Sequence, residues 1–181
     1  RSTLAVTLFP YTTLFRSKNM QVVRGQKRKA LFKEFIQPFF PSNLEECIYV
    51  EPFGGSFVIS TYLEKRPLKL VYNDITDYGI GIIADEILRL DYIDIINQYD
   101  SVKTFFYLDP PYFGKEDWYG NKKNDFDFHD NLFNALKKIN GRFVLSYEDN
   151  KVIRNIWKGH EIIKYSGENQ IFRNEILIVK N

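Results

Sequence analysis

Short apolar runs alternate with segments of helical spacing along most of this chain, and that alternation restricts its fold more than any other feature. The runs at residues 48–50, 68–72, 104–108, 142–146, 161–165 and 175–179 carry β-branched and aromatic residues and end at polar or turn residues, which predicts strands. Residues 29–40, 56–63, 85–99, 130–139 and 150–157 have helical spacing. The early and middle runs are almost continuously apolar, as strands buried on both faces of a parallel sheet must be, with helices as crossovers. The expected fold class is α/β, a doubly wound and mostly parallel sheet with an antiparallel strand near the C-terminal end. A length of 181 residues suits one domain with a sizeable core.

Several chemistries drop out at once. Cys47 is the only cysteine and His129 and His160 are the only histidines, so one chain can build neither a disulfide framework nor a Cys/His zinc cage, and no metal is expected. Both histidines lack a carboxylate or nucleophile at a telling spacing and read as structural; Cys47 reads as packed core. No apolar run approaches the roughly 20 residues of a membrane-spanning helix, which leads to the expectation of a soluble, cytoplasmic protein without a membrane partner.

Residues 1–17 read RSTLAVTLFPYTTLFRS and resemble the translation of a sequencing adapter, with Leu4-Ala5-Val6 in the place of an index. They are set aside, as a tag would be, and residues 18–181 are taken as the functional domain. Without Arg1 and Arg16, the 25 basic residues fall to the number of acidic ones, 23. The charge is uneven all the same. Lys18, Arg24, Lys27, Arg28, Lys29 and Lys33 lie within sixteen residues that contain no acid. That cluster either attracts phosphate or forms a solvated helix face.

In an open α/β sheet the ligand lies beyond the carboxyl ends of the strands, so the residues after each run carry the functional information. Glu51-Pro52-Phe53-Gly54-Gly55-Ser56 follows the first run, and paired glycines there either let backbone approach a ligand or simply reverse the chain. Asn73 and Asp74 follow the second, where an acid accepts from ribose hydroxyls or, with Asp77, caps a helix. Asp109-Pro110-Pro111-Tyr112 follows the third and is the most specific feature of the chain. Two prolines remove backbone donors and stiffen the path, leaving free carbonyls beside a carboxylate and a ring. A planar amine could donate to Asp109 and to the Pro110 carbonyl while its ring stacks on Tyr112, a set of groups that suits the amino group of a nucleobase.

These residues resemble the DNA adenine methylase (Dam, D12 class) group of amino-directed, S-adenosylmethionine-dependent DNA methyltransferases, over nearly all of residues 21–181. Arg24-Gly25-Gln26-Lys27-Arg28-Lys29, with Leu31 and Phe35, resembles the family's N-terminal glycine-lysine motif, which contacts the methionine end of the cofactor. Tyr49-Val50-Glu51-Pro52-Phe53-Gly54-Gly55-Ser56 is similar to its cofactor motif, Tyr72-Asn73-Asp74 to its ribose-binding strand end, and Leu90-Asp91-Tyr92 to the segment near the cofactor's adenine. Asp109-Pro110-Pro111-Tyr112 matches its catalytic tetrapeptide; residues 143–149 and 175–179 resemble its later core strands.

The resemblance implies a Rossmann-like methyltransferase fold, S-adenosyl-L-methionine as cofactor and DNA as partner. It implies transfer of a methyl group to the N6 amine of a flipped-out adenine, with Asp109, Pro110, Pro111 and Tyr112 catalytic. Lys27, Glu51, Pro52, Phe53, Gly54, Gly55, Asn73, Asp74, Asp91 and Asp109 become cofactor-binding candidates. Arg24, Arg28 and Lys29 become candidates for nucleic-acid contact. Trp118, Tyr119, Lys122 and Lys123 lie in an aromatic and basic stretch that either covers the flipped base or is a plain surface loop.

Two departures from the family's pattern stand out. Phe57 occupies a place where the family carries another glycine, and its ring could crowd the cofactor. Asp74 and Asp91 are close in sequence, so the target-recognition insertion expected between them is reduced to residues 75–90. Base contacts specify sequence, and their loss weakens site choice first. A separate specificity subunit would compensate. The alternatives to a DNA enzyme are an RNA base-amine methyltransferase and a truncated methylase fold that binds nucleic acid without catalysis or depends on a partner.

Overall fold

The computed structural model describes residues 27–76, 82–114 and 125–181. Residues 1–17 lie outside it. Seven strands among the described residues form one sheet in the order β3-β2-β1-β4-β5-β7-β6. They are β1 (Ile48–Glu51), β2 (Lys69–Asn73), β3 (Glu86–Leu88), β4 (Thr104–Leu108), β5 (Arg142–Glu148), β6 (Glu161–Lys164) and β7 (Glu175–Lys180). β1 to β5 pair in parallel, and β7 runs antiparallel to both of its neighbours. The sheet is therefore doubly wound and mostly parallel, with its antiparallel strand at the C-terminal end, as the alternation of runs predicts.

The helical segments differ more from expectation. Residues 29–39 are helical throughout but unevenly wound: α1 (Lys29–Leu31) passes into a wide π-type stretch, Phe32–Ile36, and then a 3-10 turn, Gln37–Phe39. Residues 56–63 give only a 3-10 turn, Ile59–Tyr62. The segment predicted as one helix over 85–99 is instead β3 followed by α2 (Tyr92–Tyr99). The Asp85 backbone exchanges with β2, its amide donating to the Leu70 carbonyl (2.8 Å) while its carboxylate accepts from the Leu70 amide (2.7 Å), so the chain is drawn into the sheet. Asp91 then caps α2 by accepting from the Ile93 amide at 2.8 Å. The remaining helices are α3 (Asp125–Leu136), which begins five residues earlier than its spacing suggested, and α4 (Lys151–Ile156), capped by Asn150.

Strand alternation divides the core into two layers. Tyr49, Leu70, Tyr72, Phe105, Tyr107, Val144, Leu177 and Val179 face one layer, covered by Leu31, Phe32, Phe35 and Ile36 of the N-terminal helical segment. Val50, Val71, Phe106, Leu108, Phe143, Leu145, Ile176 and Ile178 face the other, covered by α2, α3 and α4 through Ile95, Ile96, Leu132, Leu136, Ile153 and Trp157. Strand order reverses between β1 and β4, which puts the crevice for a ligand at their carboxyl ends.

Phe57 belongs to this packing. It takes a positive φ of 53°, with its amide donating to the Gly54 carbonyl at 2.6 Å, and its ring turns into the first core layer. There it is 3% exposed and meets the Tyr72 ring edge-on, with centroids 5.1 Å apart. The substitution Phe57→Gly relieves a left-handed backbone cost of about 1 kcal/mol but forfeits ring burial worth about 3–5 kcal/mol. Urea denaturation should show the variant less stable by about 2–4 kcal/mol. A ring that crowded a ligand would give the opposite, an undiminished stability with a gain in ligand affinity.

Candidate active site

Alternation along the strands determines which polar groups meet. Glu51 is two residues beyond Tyr49, Asp109 two beyond Tyr107, Ser146 two beyond Val144, and Glu175 two before Leu177, so all four share the face covered by the N-terminal segment. That segment contributes Lys27, which is 6% exposed. Its ammonium lies 3.2 Å from Oδ1 of Asp109 and 3.1 Å from Oε2 of Glu175, and it donates to the Tyr112 hydroxyl. It also stands 4.7 Å from the centre of the Tyr112 ring. The Tyr112 hydroxyl donates in turn to Oε2 of Glu175 at 3.0 Å, and Ser146 donates to the same oxygen at 3.4 Å. At the end of β1, the Tyr49 hydroxyl donates to Oε1 of Glu51 at 2.6 Å. The buried Tyr107 hydroxyl has no hydrogen-bond partner among the described residues.

Burial dominates the electrostatics of this cluster. It raises Asp109 to about 6 from an ordinary carboxylate value of 3.8; the charge of Lys27 works against the shift and that of Glu175 adds to it. Burial raises Glu51 further, to about 8, although the hydrogen bond from Tyr49 opposes this. Desolvation disfavours the Lys27 ammonium, but the carboxylates of Asp109 and Glu175 outweigh it and hold the group above the usual lysine range. Tyr49, Tyr107 and Tyr112 are all pushed up, first by burial and then by the neighbouring acids.

The loops after β1, β2 and β3 are tied together next to this cluster. Asn73 is buried and its carboxamide is spent on backbone: it donates to the carbonyls of Pro52 and Leu90, both at 3.0 Å, and accepts from the Leu90 amide at 2.8 Å. It therefore positions the loops and offers no free side-chain atom to a ligand. Asp74 accepts from the Gly55 amide at 2.7 Å and from the Thr76 amide at 2.8 Å, which closes the glycine loop; a helix capped by Asp74 or Asp77 would run into residues outside those described. A Cβ on Gly54 would overlap the Tyr72 ring, so this residue must be glycine for packing reasons. Gly55, at φ 49°, has open space where a Cβ would stand. Phe53 is half-buried against Tyr92, with ring centroids 5.2 Å apart, and Asp91 stays exposed as the cap of α2.

The basic cluster divides. Lys27 turns inward to the carboxylates, Arg28 and Lys29 remain exposed, and Lys33 pairs with Glu64. Arg24, Asp77, Trp118, Tyr119, Lys122 and Lys123 lie outside the described residues. His129 is buried and its Nδ1 is 2.7 Å from the Tyr147 hydroxyl; Cys47 is buried, with a thiol pushed up by desolvation. Among the described residues no group of three or more His, Cys, Asp or Glu could hold a metal ion, and no helix is long and apolar enough to cross a membrane. Sequence reasoning missed Tyr49, Tyr107, Ser146 and Glu175. Counting in twos back from Glu51 and Asp109 along their own strands leads to Tyr49 and Tyr107, whereas Ser146 and Glu175 lie on β5 and β7, whose register to those strands is set by the fold.

The sequence model of the D12 class N6 adenine-specific DNA methyltransferases matches residues 81–171, half of the chain. The chain belongs to this family. The matched span holds Asp109-Pro110-Pro111-Tyr112, α2 and β3 to β6, whereas Lys27, the glycine loop and Glu175 of this D12 family member join the site through the fold. No curated protein matches the chain in sequence. Among solved structures it is similar to SMU.776, provisionally named a methyltransferase and solved with SAH. Identity is 9% and the TM-score 0.48, over 76% of this chain and 45% of that one. It is also similar to yhhF from Escherichia coli, likewise a provisional methyltransferase. Here identity is 13% and the TM-score 0.44, over 84% and 83% of the two chains. The chain thus spans less than half the length of the first of these structures.

Glu51 sets a measurable property of the D12 fold. From its ordinary 4.5 up to about 8, the folded protein keeps a proton on Glu51 that the unfolded chain releases, so stability falls as pH rises through that window. Asp109 contributes in the same sense only up to about 6. Between pH 6 and 8 the decline should belong mainly to Glu51, and Glu51→Gln should flatten it in urea denaturation at stepped pH. An unchanged slope would mean that Glu51 titrates as an ordinary surface carboxylate.

Proposed function

We propose that the protein transfers the methyl group of S-adenosyl-L-methionine to the N6 amine of adenine in DNA, with the base flipped out of the duplex. The observation that carries this reading is the contact between the Lys27 ammonium and Oδ1 of Asp109: the carboxylate after β4 already accepts hydrogen bonds from a nitrogen donor, in a half-buried cleft bounded by the Tyr112 ring. An exocyclic amine is a donor of the same kind. It could not reach Asp109 while stacked in a helix, so extrusion of the base is part of the proposal.

The residues present fit the cofactor. Open space above Gly55 leaves backbone accessible beside the crevice, Asp74 holds that loop against the end of β2, and the unpartnered Tyr107 hydroxyl is a buried donor awaiting an acceptor. Glu51, the glycine loop and Asp74 would hold the bound molecule, while the Lys27 ammonium, a cofactor candidate in the sequence, is engaged by Asp109, Glu175 and Tyr112. When bound, S-adenosylmethionine supplies an electrophilic methyl group on a sulfonium cation.

The chain's own residues then act on the amine. Asp109 accepts one hydrogen of the amine and the Pro110 carbonyl the other, which draws the nitrogen lone pair out of ring conjugation and aims it across the crevice. Tyr112 stacks on the base. Once methylated, the amine nitrogen would carry one proton too many, and Asp109 could accept it and pass it to water. β2 ends at Asn73 and β3 begins at Glu86, and we further propose that the recognition insertion around residues 75–90 is reduced or absent within a single catalytic domain.

Methyl transfer from labelled S-adenosylmethionine to unmethylated DNA and, separately, to RNA tests the reading, with identification of the modified nucleoside. N6-methyladenine in DNA is the expected product. Asp109→Ala should reduce transfer by at least about a hundredfold while S-adenosylhomocysteine binding stays within about threefold. Activity of the unsubstituted protein should fall as pH drops through about 6, where Asp109 takes up a proton. Product in RNA alone would establish the RNA enzyme instead, and undiminished transfer by Asp109→Ala would remove its assigned role.

A further inference from the structure

Glu175 lies outside the tetrapeptide and outside the matched family span, yet it shares both Lys27 and Tyr112 with Asp109. Its Oε2 accepts from Lys27 at 3.1 Å, from Tyr112 at 3.0 Å and from Ser146 at 3.4 Å. Lys27 has three donors, and Asp109, Glu175 and the Tyr112 hydroxyl take all of them. The ammonium therefore stands on the carboxylate oxygen that an incoming amine would need. A lysine that is 6% exposed cannot simply release Asp109, because an unpaired charge at that burial is strongly disfavoured.

We propose that Glu175 is a positioning residue: it holds the Lys27 ammonium and the Tyr112 hydroxyl on one oxygen, and it keeps Lys27 paired when the target amine displaces that lysine from Asp109. The inference rests on the amine-methylation reading given above. Antiparallel pairing of β7 with β5 sets Glu175 at the end of the sheet opposite Glu148, and strand parity turns it toward the covering segment. Oε2 thus anchors two groups at once, the cation that competes for Asp109 and the aromatic ring that receives the base. In its absence Lys27 has one carboxylate left, and base docking would have to strip a buried ammonium of its only counter-charge. The groups that face Asp109 are Lys27 from the covering segment, Glu51 from β1, Tyr107 from β4, Tyr112 from the turn and Glu175 from β7. Of these, Glu175 is the carboxylate that raises Asp109 most, after burial.

The test compares Glu175→Gln and Glu175→Asp with the unsubstituted protein. Glu175→Gln should lower kcat by about tenfold or more, with S-adenosylhomocysteine affinity within about threefold. The acidic limb of its pH–rate profile should move down by about one unit, because Asp109 loses a like charge and keeps Lys27 to itself. Glu175→Asp should restore part of both. In a Lys27→Met background, Glu175→Gln should cost much less than in the unsubstituted protein. Loss of activity without movement of the acidic limb, or full additivity with Lys27→Met, would reduce Glu175 to a structural residue and overturn the proposal. A second readout needs no turnover. Carbon-13 titration of the Asp109 carboxyl, assigned with Asp109→Asn, should shift to lower pH in Glu175→Gln, and an unmoved titration overturns the proposal. An unsubstituted protein that fails to methylate DNA or RNA defeats the methylation reading, while the carboxyl titration still decides the part played by Glu175.

Discussion

The Lys27 ammonium, enclosed between Asp109 and Glu175, is the interaction on which the candidate site depends. Two half-buried carboxylates on one face of a sheet repel each other and lose hydration, and a single buried cation offsets both effects. The same lysine needs both acids, since burial alone would strip its charge. None of the three can be placed without the segment that carries Lys27, whose neighbours Leu31, Phe32, Phe35 and Ile36 seal the first core layer. Covering the sheet and assembling the charged cluster are thus one event, and the uneven winding of residues 29–39 follows the surface that those apolar residues must cover.

Three loops converge on this cluster because one buried asparagine ties them. Asn73 ends β2, reaches the Pro52 carbonyl after β1, and brackets Leu90 after β3 through both of that residue's backbone groups. A buried carboxamide satisfied three times holds loops in register more firmly than any contact among their exposed side chains could. Asp74 then fastens Gly55. The residues read from sequence as cofactor ligands accordingly divide into two kinds. Asn73 ties the loops together from within; Asp74 holds the Gly55 amide, and Glu51 ends β1 and accepts from the Tyr49 hydroxyl.

Legibility in the sequence followed local determination. β4 coincides with its predicted span because five consecutive buried residues, apolar from Phe105 onward, run up to Asp109 and a double proline that cannot extend the ladder. β3 was illegible for the opposite reason. It is a three-residue edge strand with alternating exposure, and Asp85, Glu86 and Ile87 continue smoothly into the apolar spacing of α2, so periodicity joined the two. What separates them is tertiary: the double exchange of Asp85 with Leu70 and the pairing of Val71 with Glu86. Composition also could not show that one lysine of a basic cluster is buried while Arg28 and Lys29 are exposed. That distinction depends on partners 82 and 148 residues away along the chain. Phe57 is a related case, since its ring was measured against a family glycine whereas its direction is set by a positive φ and by Tyr72.

Burial, more than the number of acids, sets the charge of the crevice. Glu51, Asp109 and Glu175 face one layer with Lys27, which would leave a net charge of minus two if every acid were ionised. Raising Glu51 to about 8 keeps it mostly neutral near pH 7, with Tyr49 donating to it. Asp109, at about 6, remains mostly ionised at the same pH. The difference follows from their partners: Asp109 has a cation at 3.2 Å, and Glu51 has a phenol. The cluster therefore carries about one negative charge at neutrality, set by two carboxylates whose environments push them to different sides of pH 7. A cleft of that charge complements a single cation. It retains one ionised acceptor at the end of β4 for a neutral amine.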